Sequence, residues 1–218
     1  MTVILANPNT SIATTAAMAR IARTVLPDVT GWTAPSGPEM ILSEAALAGA
    51  ADLVAAMEVP GDARGVIVAA FGDPGREALA RRVGCPVIGI GEAAAREAAR
   101  HGAFAVVTTT PGLAGAIDAL MIATIGSGYL GCLVTDADPL SLMSDPVALD
   151  AHLADRIADA AAAGARAVVI GGGPLGEAAE RLSGGVPLPI VNPVKAAARE
   201  MRLLCERGRR DPGAAPRP

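Results

Sequence analysis

The sequence predicts an α/β fold with two pseudo-symmetric lobes, each a three-layer α/β/α unit with a mainly parallel sheet, and a ligand cleft between them. Short runs of β-branched residues alternate with Ala-rich helical segments, which is typical of parallel sheets covered on both faces. A strand–turn–helix pattern also occurs twice, about one hundred residues apart. Of the 218 residues, 51% are hydrophobic, which is enough to build a sizeable core.

The hydrophobic pattern predicts six strands and eight helices. The predicted strands are Val3–Ala6, Val66–Ala70, Val87–Ile90, Ala103–Thr108, Val168–Ile170 and Ile190–Val191. The predicted helices cover residues 11–25, 43–57, 74–83, 92–100, 111–125, 146–163, 174–182 and 193–207.

Prolines mark the starts of several helices. Asp73-Pro74, Thr110-Pro111 and Asp145-Pro146 each place a capping side chain before a proline at the first helical position, and Gly173-Pro174 does so with glycine. Three of these four pairs follow a strand directly, so backbone amides are expected at the carboxyl edge of the sheet, where anions and carbonyls bind. Asp73 is expected to cap the helix that begins at Pro74, which would lower the pKa of its carboxyl group.

Two stretches of the chain follow one plan. Residues 64–96 and 166–199 each read as Arg, strand, glycine turn, Pro, helix, Pro, short strand and Ala-rich helix, with Ala70 opposite Gly172. A second echo links "TVILANPNTSIA" to "AFAVVTTTPGLA". The repeat predicts a first lobe over residues 1–98, to which the helix at 193–207 packs back, and a second lobe over residues 99–190. The alternative is that both turns are only good strand-to-helix connectors.

Composition excludes several classes of protein. The net charge of −4 and the 2% of aromatic residues argue against a nucleic-acid partner. The N-terminus lacks a basic flank, and no apolar run approaches the length of a membrane span, so a cytoplasmic protein without a membrane partner is expected. The three cysteines have no paired spacing, which predicts neither disulfides nor a metal site. Residues 208–218 have the composition of a disordered tail.

Six motifs occur in an order that resembles a known family. They are "NPNTS" at 7–11, "APSGP" at 34–38, "FGDPG" at 71–75, "PVIGIGEAA" at 86–94, "VVTTTPG" at 106–112 and the glycine turn at 171–173. Together they resemble the hydantoin and allantoin racemases of the aspartate/glutamate racemase superfamily, over nearly the whole chain to about residue 200. The resemblance implies a racemase that needs no cofactor, binds a small molecule between two lobes and assembles into a homo-oligomer.

The sequence departs from this family at the residues that carry its chemistry. In the family, a cysteine ends each of two strands; one thiolate removes a proton beside a carbonyl and the opposite thiol returns one. The matching positions are Ala70 and Gly172, and neither residue can carry a proton. Two-cysteine racemisation is therefore excluded. Cys85, Cys132 and Cys205 lie outside both motifs and are interpreted as buried or incidental thiols.

The resemblance implies a set of ligand-binding positions around the cleft. Asn9 and Thr10 follow the first strand, Thr109 and Thr110 lie at the pseudo-equivalent place, and N-capping is the alternative role for these polar residues. The amides of Phe71, Gly72 and Gly173 are expected to polarise a carbonyl or carboxylate. The predicted ligand-binding residues are Asn9, Thr10, Ala70, Phe71, Gly72, Thr109, Thr110, Gly172 and Gly173.

No side chain stands out as a replacement catalyst, so the catalytic residues stay unknown. Asp73 is interpreted as a helix cap, Glu177 as a solvated helix residue, and His101 and His152 lie far from both turns in the sequence. No metal is implied.

Three functional interpretations stay open. The first is a natural relative with altered isomerase or lyase chemistry on a small carbonyl compound. The second is a small-molecule-binding protein without catalysis, and the third is an inactivated or engineered variant of a hydantoin racemase. A dinucleotide-binding protein is disfavoured, because "GIGEAA" does not have the GxGxxG spacing.

Overall fold

The structure is a computed structural model that describes residues 2–210 and contains eight strands and nine α-helices within that range. The strands are β1 (Val3–Asn7), β2 (Val29–Thr33), β3 (Gly65–Val68), β4 (Val87–Gly89), β5 (Phe104–Thr108), β6 (Tyr129–Val134), β7 (Ala167–Ile170) and β8 (Ile190–Val191). The helices are α1 (Ile12–Arg23), α2 (Glu44–Ala56), α3 (Arg76–Ala80), α4 (Ile90–Ala99), α5 (Ala114–Ile125), α6 (Pro139–Ser144), α7 (Pro146–Ala162), α8 (Gly176–Leu182) and α9 (Pro193–Arg210). Short 3-10 turns, Pro111–Leu113 and Gly173–Leu175, precede α5 and α8.

The strands form two four-stranded parallel sheets of identical order, β2-β1-β3-β4 and β6-β5-β7-β8. In the first sheet Leu5 lies opposite Ile67, and in the second Val106 lies opposite Val169. Helices cover both faces of each sheet. The predicted α/β class, with two similar lobes, is therefore confirmed.

Alternate residues along each strand enter different cores, as the period of two in a β-strand requires. In the first sheet, Leu5 and Ile67 point into a central core, while Ile4 and Val68 point into an outer core with α2 and α3. The second sheet sends Phe104 and its alternate neighbours into the same central core, which α1, α4, α5 and α9 fill. The two lobes thus share one hydrophobic core.

Two helices pack on the sheet opposite to the one that precedes them. Helix α9 follows β8 of the second sheet but packs against β3 and β4 of the first and against α1. Helix α4 follows β4 of the first sheet and packs against β7, β8 and α5 as well. The predicted lobe boundaries at residues 98 and 190 stay a prediction. The predicted tail over residues 208–218 is wrong at its start, because α9 continues to Arg210; residues 211–218 lie outside the described residues.

Reciprocal ion pairs join α4 to α9. Arg96 Nε and Nη2 donate to the Glu200 carboxylate at 3.1 and 2.8 Å, and Arg199 Nη1 donates to Glu97 Oε1 at 2.6 Å. The pairs connect equivalent positions of the two repeats, "AREAAR" and "AREMR", in crossed fashion. A contact in which one residue pair is repeated with the partners exchanged is the mark of local twofold symmetry.

Three elements were not predicted from the sequence: β2, β6 and α6. Strands β2 and β6 lie at one edge of each sheet and are largely half-buried or exposed, and each contains a glycine. Helix α6 has six residues and begins at Pro139 after the Asp138 cap, which is too short for a helical period to show. Within residues 2–210, no helix combines the length and apolar character that crossing a bilayer requires.

Candidate functional site

A cleft lies at the carboxyl ends of the central strands of both sheets. It encloses about 530 Å³ of space outside the protein atoms, including the part open to solvent. The lining residues come from the segments after β1, β3, β5 and β7, from the loop before α2 and from α2 and α5: Asn9, Met40, Ile41, Leu47, Ala69, Ala70, Phe71, Thr108, Thr109, Thr110, Leu113, Ile117, Gly171, Gly172, Gly173, Pro174 and Leu175.

The structure brings most of the predicted ligand-binding positions to this cleft. Ala70 and Gly172, the two positions that resemble the family's cysteines, both line it. The predicted residues outside its lining are Thr10, whose N–H donates to Pro38 O at 3.1 Å, and Gly72, which lies against Leu47 on the outer side of the turn. Whether any of these residues contacts a ligand stays a prediction.

On the side of the first lobe, a buried hydrogen-bond network fixes the Asn9 side chain. Asn9 Oδ1 accepts from Asn7 Nδ2 at 2.8 Å and from Ser11 N at 2.9 Å. The Asn7 amide is itself held by Thr15 Oγ1 at 2.9 Å. Within residues 2–210 the Asn9 NH₂ group makes no hydrogen bond, so it is available as a donor on a residue that lines the cleft. The role of Asn7 was not predicted from the sequence, although its position as the last residue of β1 was an available signal.

On the side of the second lobe, consecutive threonines have different roles. Thr108 Oγ1 donates to Gly171 O at 2.7 Å and so ties the threonine turn to the glycine turn. Thr109 is fully buried, and its Oγ1 has no hydrogen-bond partner among the described residues. A buried hydroxyl without a partner carries a desolvation cost of about 1–3 kcal/mol.

Two backbone amides of the cleft wall are also free. The N–H groups of Phe71 and Gly173 donate to no partner within residues 2–210, and Gly173 is the first residue of a 3-10 turn. Unpaired amides at such a turn are the groups that stabilise a developing negative charge on oxygen. They lie on opposite lobes, next to Ala70 and Gly172.

Among the described residues, no ionisable side chain lines the cleft: every lining residue is aliphatic, aromatic, amide, hydroxyl or thioether in character. The three cysteines lie elsewhere. Burial raises the pKa of the Cys132 thiol to about 12, helped by the charge of Asp118, and burial also raises the pKa of Cys85. Thiols with raised pKa values are weak bases at neutral pH because little thiolate forms.

Leu175 partly fills the space that a side chain at position 172 would occupy. A Cβ added to Gly172 would lie 3.2 Å from both Cδ1 and Cγ of Leu175, which is closer than ordinary van der Waals contact. Ala70, in contrast, is partly exposed at the cleft wall. The two positions that look equivalent in sequence therefore have unequal room for a larger side chain.

The structure corrects the interpretation of Asp73. Its carboxylate accepts hydrogen bonds from Gly91 N at 2.8 Å and Glu92 N at 2.7 Å, so it caps α4; the helix after it, α3, begins only at Arg76. Asp73 has a φ of 51°, and this unusual backbone directs the side chain away from the amides that follow Pro74. Burial raises the pKa of Asp73 to about 7, so the expectation of a lowered pKa was wrong.

The other candidate residues lie outside the cleft lining. Glu177 is half-exposed and pairs with Arg20, His101 is exposed in the turn after α4, and His152 is half-buried in α7. In the part of the chain that the structure describes, no three His, Cys, Asp or Glu residues come together as a metal site.

The loop between β2 and α2 closes one side of the cleft. Met40 and Ile41 of this loop line the cleft, and the Leu42 carbonyl lies so close to Gly112 of the second lobe that a Cβ at Gly112 would collide with it. The "APSGP" turn lies just before this segment and contacts the first lobe through Pro38.

The fold is that of a known family. The model of the Asp/Glu/hydantoin racemase family matches residues 3–201, and the chain therefore belongs to that family. The chain is similar to the allantoin racemase of Pseudomonas fluorescens, with 29% identity, 95% of this chain and 92% of that chain covered, and a TM-score of 0.85. It is also similar to the allantoin racemase of Klebsiella pneumoniae, with 27% identity, coverages of 95% and 89%, and a TM-score of 0.86.

More distant structures share the fold alone. Unliganded arylmalonate decarboxylase is 18% identical, with 94% of this chain and 92% of that chain covered and a TM-score of 0.60. The comparison with curated proteins found no match.

Proposed function

We propose that this protein is a hydantoin racemase-like enzyme of altered chemistry, which acts without a cofactor on a small carbonyl compound held between the lobes. Of the two reaction classes that fit the family, isomerase and lyase, the cleft favours the lyase. The observation that carries this choice is the absence of any ionisable side chain from the lining of the cleft. The favoured reaction is the loss of CO₂ from a carboxylate on a carbon next to a second carbonyl group.

Racemisation and decarboxylation make different demands on a protein. Racemisation begins with removal of a proton from carbon, which needs a base positioned within hydrogen-bond reach. Decarboxylation needs no base: the carbon–carboxylate bond breaks, CO₂ leaves, and the electron pair enters the neighbouring carbonyl as an enolate. Water then donates a proton to the carbon, and the hydroxide formed combines with CO₂ as bicarbonate. A cleft without an acid–base pair can perform the second reaction.

The cleft supplies what the enolate requires. The N–H groups of Phe71 and Gly173 and the NH₂ of Asn9, which have no partner among the described residues, are donors for an oxygen that gains negative charge. Removal of a single donor of this kind from an enzyme slows the reaction by about 10²–10³-fold.

The remaining walls predict an apolar substituent on the substrate. Apolar side chains enter from the first lobe and from the second: Met40, Ile41, Leu47, Leu113 and Ile117. A pocket lined in this way gains from burying a hydrocarbon substituent and offers no opposite charge to an ionised one. Substrates with the ionised side chains of aspartate or glutamate are therefore disfavoured.

The test is a turnover assay in D₂O with α-substituted malonates, 2-substituted β-keto acids and enantiopure 5-substituted hydantoins. We expect bicarbonate release from an acid with an apolar substituent, one deuterium incorporated per product molecule, and no racemisation of any hydantoin. Heat-denatured protein measures the spontaneous reaction. Racemisation by the unaltered chain would contradict the proposal, because it would require a base.

A second candidate, ligand binding without catalysis, is supported by the same uncharged lining. Calorimetry with the same compounds separates the two functions. Heat of binding with no release of CO₂ and no deuterium exchange would favour the binding protein over the enzyme.

We also propose that the protein is cytoplasmic, forms a homo-oligomer and has no nucleic-acid or membrane partner. Light scattering on the purified protein measures its oligomeric state.

A further inference from the structure

We propose that Asp73 is a positioning residue whose carboxyl group holds the Ala70–Gly72 turn of the cleft against the first turn of α4, and that a change in the ionisation of this group is transmitted to the turn. The inference concerns the shape of the cleft wall and does not depend on the reaction proposed above. Asp73 is distinct from the cleft itself, because it does not line it.

Asp73 connects two elements through short contacts. Its own N–H donates to Ala70 O at 3.0 Å, which closes the turn that carries Phe71. Its two carboxylate oxygens accept from the first amides of α4, Gly91 at 2.8 Å and Glu92 at 2.7 Å, one oxygen for each amide. One residue thus links the cleft wall to the helix that packs on the second sheet.

The surroundings are built around the carboxylate group. Asp73 is 8% exposed, and among the described residues it is the one non-glycine residue with positive φ. A side chain at position 89 would collide with its carboxylate, so Gly89 leaves the room that the group occupies. A residue in such a strained conformation persists when the contacts around it compensate for the strain.

Few charges act on this carboxylate. Glu92 and Arg76 are the charged neighbours of Asp73, and they pair with each other at 2.9 Å. Arg96 of α4 binds the other oxygen of Glu92, and α5 contributes the apolar Leu120 on the facing side. Glu44, Glu77 and Arg81 line the open groove outside the turn.

Protonation changes what the two oxygens can do. A carboxylate accepts from both amides, whereas the hydroxyl of a carboxylic acid is a donor and turns a favourable contact with one N–H into a repulsive one. The helix then loses one cap, and the turn that carries Phe71 loses one of its ties to α4. The neutral group costs less free energy to bury, so Asp73 keeps its buried position and the change lies in its hydrogen bonds.

The test follows backbone amides of the ligand-free full chain by ¹H–¹⁵N NMR between pH 5 and pH 9. We expect the signals of Gly91 and Glu92 to shift with a common midpoint near pH 7, the pKa that burial gives Asp73. The amides of Phe71 and Gly72 are expected to shift with the same midpoint. In Asp73→Asn, neither pair is expected to titrate.

Two neighbours provide a matched pair of variants that keep Asp73 intact. Arg76→Gln removes a positive charge and is expected to raise the midpoint, whereas Glu92→Gln removes a negative charge and is expected to lower it. Opposite shifts of the titration midpoint in these two variants test the proposal even if Asp73→Asn does not fold.

Two outcomes would overturn the inference. One is a titration of Gly91 and Glu92 that Phe71 and Gly72 do not follow, which would make Asp73 a helix cap without influence on the cleft. The other is a midpoint that Arg76→Gln and Glu92→Gln do not move in opposite directions.

Discussion

Thr109 and Thr108 are adjacent buried threonines whose hydroxyl groups differ in one respect. Thr108 Oγ1 donates to Gly171 O, whereas Thr109 Oγ1 has no partner among the described residues. Thr108→Val is therefore expected to lower the free energy of unfolding by about 1–3 kcal/mol, and Thr109→Val is expected to leave it unchanged or to raise it slightly. Urea unfolding measures both variants, and equal losses would show that the two hydroxyls are equally engaged.

The buried carboxyl of Asp73 predicts a pH dependence of stability. Its pKa is about 7 in the folded protein and 3.8 where the carboxyl is fully solvated, as in the unfolded chain, so the folded state alone holds this proton between those values. Stability from this group is complete below about pH 4 and is lost as the pH rises through 7, by on the order of 4 kcal/mol in total.

The measurement compares the wild type with Asp73→Asn, since other groups titrate in both proteins. As the pH rises from 5 to 8, the free energy of unfolding of the wild type is expected to fall relative to that of Asp73→Asn. A constant difference would show that Asp73 stays ionised. The ionised form fixes the turn and yet costs stability, because its two hydrogen bonds only partly offset the burial of a charge.

At the scale of residues, the sequence predicted which residues lie at the cleft better than it predicted the hydrogen-bond partners of their side chains. Ala70, Phe71, Thr109 and Gly173 were expected at the cleft from the family resemblance, and the structure places all four in its lining, where strand ends of a parallel sheet meet. The partner of Asp73 could not be predicted, because it depends on a positive φ and on amides 18 and 19 residues further along the chain.

At the scale of elements, the packing of α9 on the first sheet gives a further prediction. A Cβ at Gly65 of β3 would collide with Met201 of α9, whereas Gly61, in the preceding loop, has nothing within 4 Å of the same point. Gly65→Ala is expected to lower the free energy of unfolding by about 1–3 kcal/mol, and Gly61→Ala to change it little.

Thermal unfolding followed by circular dichroism compares these two variants. A second change, Met201→Ala, removes the atoms that the new methyl group meets. It should make Gly65→Ala less damaging in that background than alone, and independent effects of the two changes would argue against the contact.

Six strands were predictable because they are apolar runs, and two of the four edge strands, β2 and β6, were not. The six predicted strands all correspond to β1, β3, β4, β5, β7 and β8. The two that were missed lie at a sheet edge, as β4 and β8 do, but they are more exposed and need less apolar sequence. Gly131 of β6 also has a φ of 123° beside a shift in register. Edge strands have fewer constraints on composition, and their patterns are correspondingly weaker.

For the whole molecule, the central core shared by both sheets predicts one unfolding transition. Leu5 and Ile67 of the first sheet belong to the same core as Phe104 and Val169 of the second. We expect denaturant unfolding to follow one transition, with the same midpoint by circular dichroism and by the fluorescence of Trp32 in β2. Two separate midpoints would mean that one sheet survives without the other.

The two-lobed cleft also predicts the result of restoring thiols. Ala70→Cys together with Gly172→Cys is expected to racemise a 5-substituted hydantoin slowly, because Leu175 crowds position 172. Adding Leu175→Ala is expected to increase that rate. Polarimetry measures it, and Ala70→Cys alone is the control, since one thiol cannot serve both faces. Equal rates in the single and double variants would argue against opposed positions.

The exchanged placement of α9 has a consequence for the order in which the chain becomes complete. The inner face of the first sheet is covered in part by residues 193–210, which a ribosome adds after both sheets have been translated. During synthesis Ile67 and its neighbours therefore stay accessible to chaperones until that late helix emerges. A chain that ends just before residue 193 would keep this apolar surface exposed, so such a truncated protein is expected to aggregate.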